Sequence, residues 1–148
     1  MNKIALTALA AVILSIGFQQ YAGAHCEVPC GIFTDQARFE SMLEDTKTIH
    51  KAMVQTGELA GKSDAQSFNQ ASRWVYQKEK HAEKIQEIIA RYFMAQRIKT
   101  NDPKYVEKLT AAHAVMVAAM KSKQTVKTEQ ADALRDAILA FHKVYEGK

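Results

Sequence analysis

Residues 34–57, TDQARFESMLEDTKTIHKAMVQTG, decide the fold class of this chain. Their apolar side chains recur at spacings of three and four, which is the period of an amphipathic α-helix. The apolar stripe consists of Phe39, Met42, Leu43, Thr46, Ile49 and Met53. Thr34 and Asp35 are both good N-cap residues, so we expect the helix to begin there. Gly57 and Gly61 are expected to end it.

Three more helices follow with the same kind of pattern. The second is predicted from about Asp64 to Lys99, and Lys78 occupies a position in its stripe where an apolar residue would fit. Its other stripe positions are Phe68, Ala71, Val75, Ala82, Ile85, Ile89 and Tyr92. The third helix is predicted to use Asp102 as its N-cap and Pro103 as its first residue. Its stripe is Val106, Leu109, Ala112, Met116, Ala119 and Met120. The fourth follows the polar turn 121–127, with the stripe Ala131, Leu134, Ile138, Phe141 and Tyr145.

Four amphipathic helices with short connections predict an all-α fold, an antiparallel up-and-down four-helix bundle over residues 34–148. The 148 residues suffice for one domain with its own core. The formal charge is only +4 and the acidic and basic residues alternate along the chain. No basic block with interleaved aromatic residues is present, so the sequence does not favour nucleic-acid binding. The Glu-x-x-His pairs that di-iron bundles require are also missing from the helices.

Residues 1–24 have the organisation of a secretory signal peptide. Lys3 gives a positive start, Ile4 to Phe18 is apolar, and Ala22-Gly23-Ala24 fits the small-residue rule for signal peptidase. The apolar run is short for a membrane span. We therefore expect cleavage after Ala24, export to a periplasmic or extracellular space, and no membrane attachment after cleavage.

Residues 25–33, HCEVPCGIF, follow this site and contain both cysteines of the chain. Cleavage would give His25 a free amine beside its imidazole. The amine, the backbone nitrogen and thiolate of Cys26, and the thiolate of Cys30 make a plane of two nitrogen and two sulfur donors. Such a plane suits Ni(II) or Cu(II), whereas zinc normally takes four side-chain ligands and finds only three here. The stretch is therefore predicted to be a metal-binding hook.

A disulfide between Cys26 and Cys30 is the other interpretation, because cysteines of exported proteins usually pair. It would close a very small loop and would stabilise the domain weakly. Both interpretations stay open on the residues alone.

The order His-Cys-x-x-Pro-Cys-Gly-x-aromatic at a processed N-terminus resembles the nickel hook of the nickel-containing superoxide dismutases. The resemblance implies a homohexamer of four-helix subunits, each with one nickel ion. It implies an enzyme that converts superoxide to dioxygen and hydrogen peroxide while the metal cycles between Ni(III) and Ni(II). The implied ligands are His25, Cys26 and Cys30.

The resemblance extends to four further positions. Glu40 matches the glutamate that orients the axial imidazole, with a solvated helix glutamate as the alternative. His81 aligns with an arginine that is the basic partner of the same imidazole. Tyr92 matches a tyrosine that lines the approach to nickel, with core packing as its alternative. Phe33 stands where the hook usually has tyrosine, so the ring is kept and the hydroxyl is lost.

Three other functions remain possible at this point. An exported nickel- or copper-binding helical protein would use the same hook and show no dismutase activity. A helical interaction protein would carry the disulfide instead of a metal. The third is a member of the dismutase family that has lost its activity through Phe33 and His81.

Overall fold

A computed structural model describes residues 34–147, which form four helices. Helix α1 is Asp35–Leu59, and α2 is Ala65–Glu87, continued by a π-helical segment, Ile88–Arg97. Helix α3 is Tyr105–Lys123 and α4 is Glu129–Glu146. The predicted all-α four-helix fold is confirmed. The predicted signal peptide (residues 1–24) and hook (residues 25–33) lie outside the described residues.

The first two helices begin where the sequence predicts. Thr34 caps α1, because its hydroxyl oxygen accepts a hydrogen bond from the Ala37 amide at 3.2 Å. Asp64 caps α2 and accepts from the Ser67 amide at 2.9 Å. Between these helices Gly61 has a φ of 83°, a conformation that glycine adopts without steric cost.

The predicted start of the third helix is wrong by two residues. Helix α3 begins at Tyr105 and not at Pro103. Asp102 accepts a hydrogen bond from the Lys104 amide at 2.8 Å and so makes a turn of its own before the helix. An aspartate side chain that bonds two residues ahead competes with the first helical turn, which explains the displacement.

Side-chain contacts at one end of the bundle show that neighbouring helices run in opposite directions. Asp35, at the start of α1, bonds to Arg97 at the end of the π-helical segment and to Tyr145 near the end of α4. Lys108, in the first turn of α3, lies 5.2 Å from the centre of the Tyr145 ring. Two helix starts therefore meet two helix ends, as an up-and-down bundle requires. We call this the α1-start end of the bundle.

The core at the α1-start end is aromatic. Phe39 lies 4.7 Å from Phe93 and 5.3 Å from Phe141, measured between ring centres. Phe93 and Phe141 meet edge to face at 5.0 Å. All three rings are buried. Contacts of this kind add about 1 kcal/mol each to the free energy gained by burial, so this end of the bundle is firmly packed.

Four residues predicted in the core are exposed instead. Phe68 and Val106 are 75% and 71% exposed, and Val75 and Met120 are 39% and 42% exposed. Two of them, Phe68 and Val75, have a structural reason. Lys78 of α2 contacts the chain just beyond the end of α3, so residues 65–77 of α2 extend past the α3–α4 pair. Helix α1 contacts this part of α2 through Lys51, which lies 5.7 Å from the centre of the Trp74 ring.

Lys78 occupies an apolar position in the stripe of the second helix, and it is 4% exposed. Its ammonium group donates to the main-chain carbonyl oxygens of Lys123 and, at 3.0 Å, of Thr125. Glu79 lies 3.5 Å away and balances the charge. A buried ammonium is tolerated because its donors are used on the unsatisfied carbonyls at the end of α3.

Within residues 34–147, no helix is both long and apolar enough to cross a membrane.

Candidate active site

The carboxylate of Asp35 is the centre of a polar cluster at the α1-start end of the bundle. Its Oδ1 accepts a hydrogen bond from the Tyr92 hydroxyl at 2.6 Å. Its Oδ2 accepts from the Arg97 guanidinium at 2.7 Å and from the Tyr145 hydroxyl at 2.8 Å. These three donors come from the π-helical segment and from α4. We call the four residues the Asp35 cluster.

The π-helical segment puts Tyr92 and Arg97 on the same face. Residues five apart in an α-helix point roughly 140° away from each other around the axis. The i→i+5 hydrogen bonds of a π-helix bring such residues back into line. One such bond joins the Ile98 amide to the Phe93 carbonyl at 2.8 Å. As a result the Arg97 guanidinium carbon lies 5.9 Å from the centre of the Tyr92 ring.

The hydrogen bonds of the Asp35 cluster determine its charge state. Burial raises the pKa of Asp35, but the bonds from Arg97, Tyr92 and Tyr145 outweigh burial and hold this pKa below its usual value. Burial and the bond to Asp35 raise the pKa of Tyr92 and of Tyr145 to about 12. The same carboxylate raises the pKa of Arg97. At neutral pH the cluster is one carboxylate, one guanidinium and two neutral phenols.

A second cation adjoins Tyr92. The guanidinium carbon of Arg38 lies 5.4 Å from the centre of the Tyr92 ring, and Arg97 flanks the same ring. Tyr92 itself is 8% exposed. Within the described part of the chain, one carboxylate and two guanidinium groups lie beside Tyr92, and guanidinium groups attract small anions.

The other sequence-predicted residues lie apart from this cluster or outside the described residues. Glu40 is exposed on α1 and accepts a hydrogen bond from Gln36 at 2.9 Å. His81 places its Nδ1 2.7 Å from Oδ1 of the buried Asp45, which also accepts from Lys84. The residues His25, Cys26, Cys30 and Phe33 lie outside the described residues. Within the described part of the chain, no group of three or more His, Cys, Asp or Glu residues is arranged to hold a metal ion.

Comparison with protein families gives one match. The model of the nickel-containing superoxide dismutases matches residues 20–148, a range that includes the HCEVPCGIF stretch and all four helices. The chain belongs to the nickel-containing superoxide dismutase family. It is therefore a superoxide dismutase, an oxidoreductase that uses nickel and acts on superoxide. No curated protein and no solved structure matches the chain significantly.

The donor set of this dismutase fits nickel. A free amine, an amide nitrogen and two thiolates can all be supplied within residues 25–30. Planar sets that contain nitrogen donors are those that Ni(II) accepts, and anionic thiolates are strong donors to such a metal. Histidine adds a further nitrogen at the same residue as the amine. The residues present can thus bind the metal that the family name specifies.

Sequence reasoning missed three members of the Asp35 cluster. Asp35 was predicted only as a possible helix start, Tyr145 only as a core position, and Arg97 was not singled out. Their convergence depends on the π-helical turn and on the contact between the first and last helices. Tyr92 carried the only usable signal, through its resemblance to the family tyrosine.

Proposed function

We propose that the mature chain begins at His25 and that residues 25–30 hold one nickel ion per subunit. His25 would bind through its amine and imidazole, Cys26 through its backbone nitrogen and thiolate, and Cys30 through its thiolate. When bound, the metal supplies a one-electron Ni(III)/Ni(II) couple that oxidises one superoxide to dioxygen and reduces the next to hydrogen peroxide. Two protons enter with the second superoxide, so charge and atoms balance.

The position of Asp35 supports the assignment of Tyr92 to this site. Asp35 follows Cys30 by five residues, and five residues of extended chain span at most about 18 Å. Because Asp35 bonds directly to Tyr92 at 2.6 Å, a connection of this length allows Cys30 to reach that phenol. This short connection is the observation that carries the proposal.

The described residues near Tyr92 would attract and orient the substrate. Superoxide is a small anion, and Arg38 and Arg97 flank the Tyr92 ring. Their charges raise the local concentration of anions in a manner that added salt screens. Both guanidinium carbons lie beside the phenol ring, at 5.4 and 5.9 Å from its centre, and its hydroxyl is oriented by Asp35.

Glu40 and His81 are proposed as outer partners of the His25 imidazole, on the strength of their resemblance to family positions. Glu40 is exposed and bonded only along its own helix to Gln36 in the described residues, so its carboxylate is accessible to a neighbouring segment. His81 is committed at Nδ1 to Asp45, which leaves Nε2 as the nitrogen available to another group.

We also propose that the protein is exported, that signal peptidase releases His25, and that the subunits form a homohexamer. Exposed apolar residues support an assembly. Phe68, Val75 and Tyr76 lie on the extension of α2 beyond the α3–α4 pair, and all three are exposed. Aromatic side chains at such positions are typical of protein interfaces.

The test compares two forms of the protein that differ at one bond. One begins at His25, and the other carries a single extra alanine before it, so that the His25 nitrogen is an amide. After nickel loading, the first form is expected to dismute superoxide and to show a rhombic Ni(III) electron paramagnetic resonance signal with axial nitrogen splitting. The second is expected to show neither. Equal activity in the two forms would refute the assignment of the amine as a ligand.

A second candidate function is nickel or copper storage by the same hook without turnover. The donor set alone is compatible with such binding, because planar nitrogen and sulfur donors bind both metals, whereas the family match favours the dismutase. Tight metal binding by the form that begins at His25, without dismutase activity, would identify a binder. Thiol titration that finds no free cysteine before or after nickel addition would identify the disulfide form instead.

A further inference from the structure

The Asp35 cluster has a role that the metal ligands do not explain. Its carboxylate receives three hydrogen bonds, from Tyr92, Arg97 and Tyr145, and these partners are 57, 62 and 110 residues away in the sequence. A helix start needs no such partners, because Thr34 already caps α1. The cluster therefore serves something other than the local stability of the helix.

Each donor of the cluster is committed to Asp35. A phenol has one proton to donate, and the Tyr92 hydroxyl donates it to Oδ1 at 2.6 Å. The Tyr145 hydroxyl and one arm of Arg97 share Oδ2. Charged hydrogen bonds of this length are among the stronger ones in proteins. They hold the Tyr92 ring in one orientation beside Arg38 and Arg97.

Packing behind the cluster adds to its rigidity. The Tyr145 ring contacts Phe39, Phe93 and Phe141 at 5.2 to 5.8 Å between ring centres. Tyr92 meets Phe93 edge to face at 5.2 Å. The rings of Tyr92 and Tyr145 therefore pack against buried aromatic side chains, and Asp35 accepts hydrogen bonds from both hydroxyl groups.

We propose that Asp35, held by Arg97 and Tyr145, is a positioning residue of the nickel centre. It fixes the orientation of Tyr92, and it fixes the point at which the predicted hook joins the bundle, two residues after Phe33. The inference rests on the proposed function, since it concerns the same site. Asp35, Arg97 and Tyr145 act through Tyr92 and the chain, and they are not expected to contact the metal or superoxide.

The test uses the nickel-loaded protein that begins at His25 and its Asp35→Asn variant. With tyrosine labelled at the ζ carbon, nuclear magnetic resonance follows each phenol separately, and Tyr92→Phe and Tyr145→Phe assign the signals. We expect Asp35→Asn to lower the titration midpoints of Tyr92 and Tyr145 from about 12 towards 10.

The second readout is the rate at which a chelator removes nickel. We expect Asp35→Asn to raise this rate about tenfold, the change that corresponds to the loss of one charged hydrogen bond. Asp64→Asn is the matched control, because Asp64 caps a helix remote from the cluster in sequence and contacts Ser67. It should leave the tyrosine titrations and the nickel release rate at their wild-type values.

Tyr145→Phe protects the test against a variant that fails to fold, because it removes one hydroxyl and keeps the packed ring. It should shift the Tyr92 resonance and raise nickel release about twofold. Unchanged Tyr92 titration in Asp35→Asn, or unchanged nickel release in both variants, would overturn the proposal. A wild-type protein without nickel-dependent activity would instead refute the proposed function, and the tyrosine titration would still report on the cluster.

Discussion

The Nδ1 atom of His81 lies 2.7 Å from Oδ1 of Asp45, a carboxylate on α1 that is 3% exposed. Lys84 donates to the same oxygen at 3.1 Å, whereas Oδ2 of Asp45 has no hydrogen-bond partner within residues 34–147. A buried carboxylate with so few donors depends on each of them. His81 therefore joins α1 to α2.

Replacement of His81 by alanine should lower the free energy of unfolding by about 1–3 kcal/mol, because Asp45 would keep only the donor from Lys84. His81→Gln should lose less, since its amide can still donate to Asp45. Urea unfolding of both variants provides the measurement. His113→Gln on the exposed side of α3 is the control and should stay within about 0.5 kcal/mol of wild type. Equal stability of His81→Ala and wild type would contradict this prediction.

Lys78 should prove important for the end of α3. Lys78→Met keeps an apolar side chain and removes the ammonium group that donates hydrogen bonds to the carbonyl oxygens of Lys123 and Thr125. We expect a loss of about 2 kcal/mol in unfolding free energy and faster amide hydrogen exchange in residues 124–128. Lys80→Met, at an exposed position of the same helix, should change neither quantity. If both variants behave alike, the buried ammonium makes no specific contribution.

Phe33→Tyr tests the departure of this chain from the usual hook residue. The added hydroxyl is a hydrogen-bond donor within the predicted hook, so the enzyme should bind hydrogen peroxide more tightly. We expect the inhibition constant for peroxide to fall about fivefold while the nickel content stays the same. Steady-state kinetics with added peroxide measure the change. The control is Tyr76→Phe, which removes an exposed hydroxyl on α2, and identical inhibition in Phe33→Tyr and wild type would rule the idea out.

Alkaline pH should weaken the Asp35 cluster. The pKa of Tyr92 and of Tyr145 is raised to about 12 in the folded protein, against about 10 in the unfolded chain. The unfolded chain therefore loses these protons first as pH rises. Stability from the two phenols is complete below pH 10 and disappears as pH approaches 12. Tyr145→Phe should make the fall in this range shallower, which urea titrations at several pH values will show.

Acid pH should also weaken the Asp35 cluster, because the pKa shift of Asp35 is opposite in sign to those of the two phenols. The pKa of Asp35 in the folded protein lies below its usual value, so the unfolded chain takes up the proton first as pH falls. The stabilisation from Asp35 is present above about pH 4 and is lost as pH falls through the lower, folded pKa. Asp35→Asn should be less stable than wild type at neutral pH and should lose less stability on acidification. A constant difference between the two proteins across this range would contradict the prediction.

The helices could be predicted from the sequence because caps and apolar periodicity depend on residues close together in the chain. The caps at Thr34 and Asp64 and the stripe from Ala131 to Phe141 lie where the pattern placed them. The prediction that Phe68 is buried was wrong. An apolar face shows only that a residue can be buried. The relative lengths of the packed helices decide whether it is buried. Those lengths are a tertiary property that periodicity does not contain.

The Asp35 cluster was beyond the reach of the sequence for a similar reason. Arg97 approaches Tyr92 only because the helix widens to π geometry at Ile88–Arg97. Residues 84–97 give no signal for that change, since their apolar positions also suit an α-helix. Tyr145 was predicted correctly as a residue packed on the core. Its hydroxyl bond depends on a contact across the bundle that no local pattern specifies.

The hydrogen bond from Tyr145 to Asp35 spans 110 residues, and this has a consequence for the order of folding. Closing so long a loop costs chain entropy that only later contacts repay. The hairpin of α1 and α2 can form early, with Tyr92 and Arg97 already beside Asp35. The third donor arrives only when α4 docks against α1. The end of the bundle next to the predicted metal hook is therefore complete only in a fully folded chain, so a partly folded one offers a looser attachment for the hook.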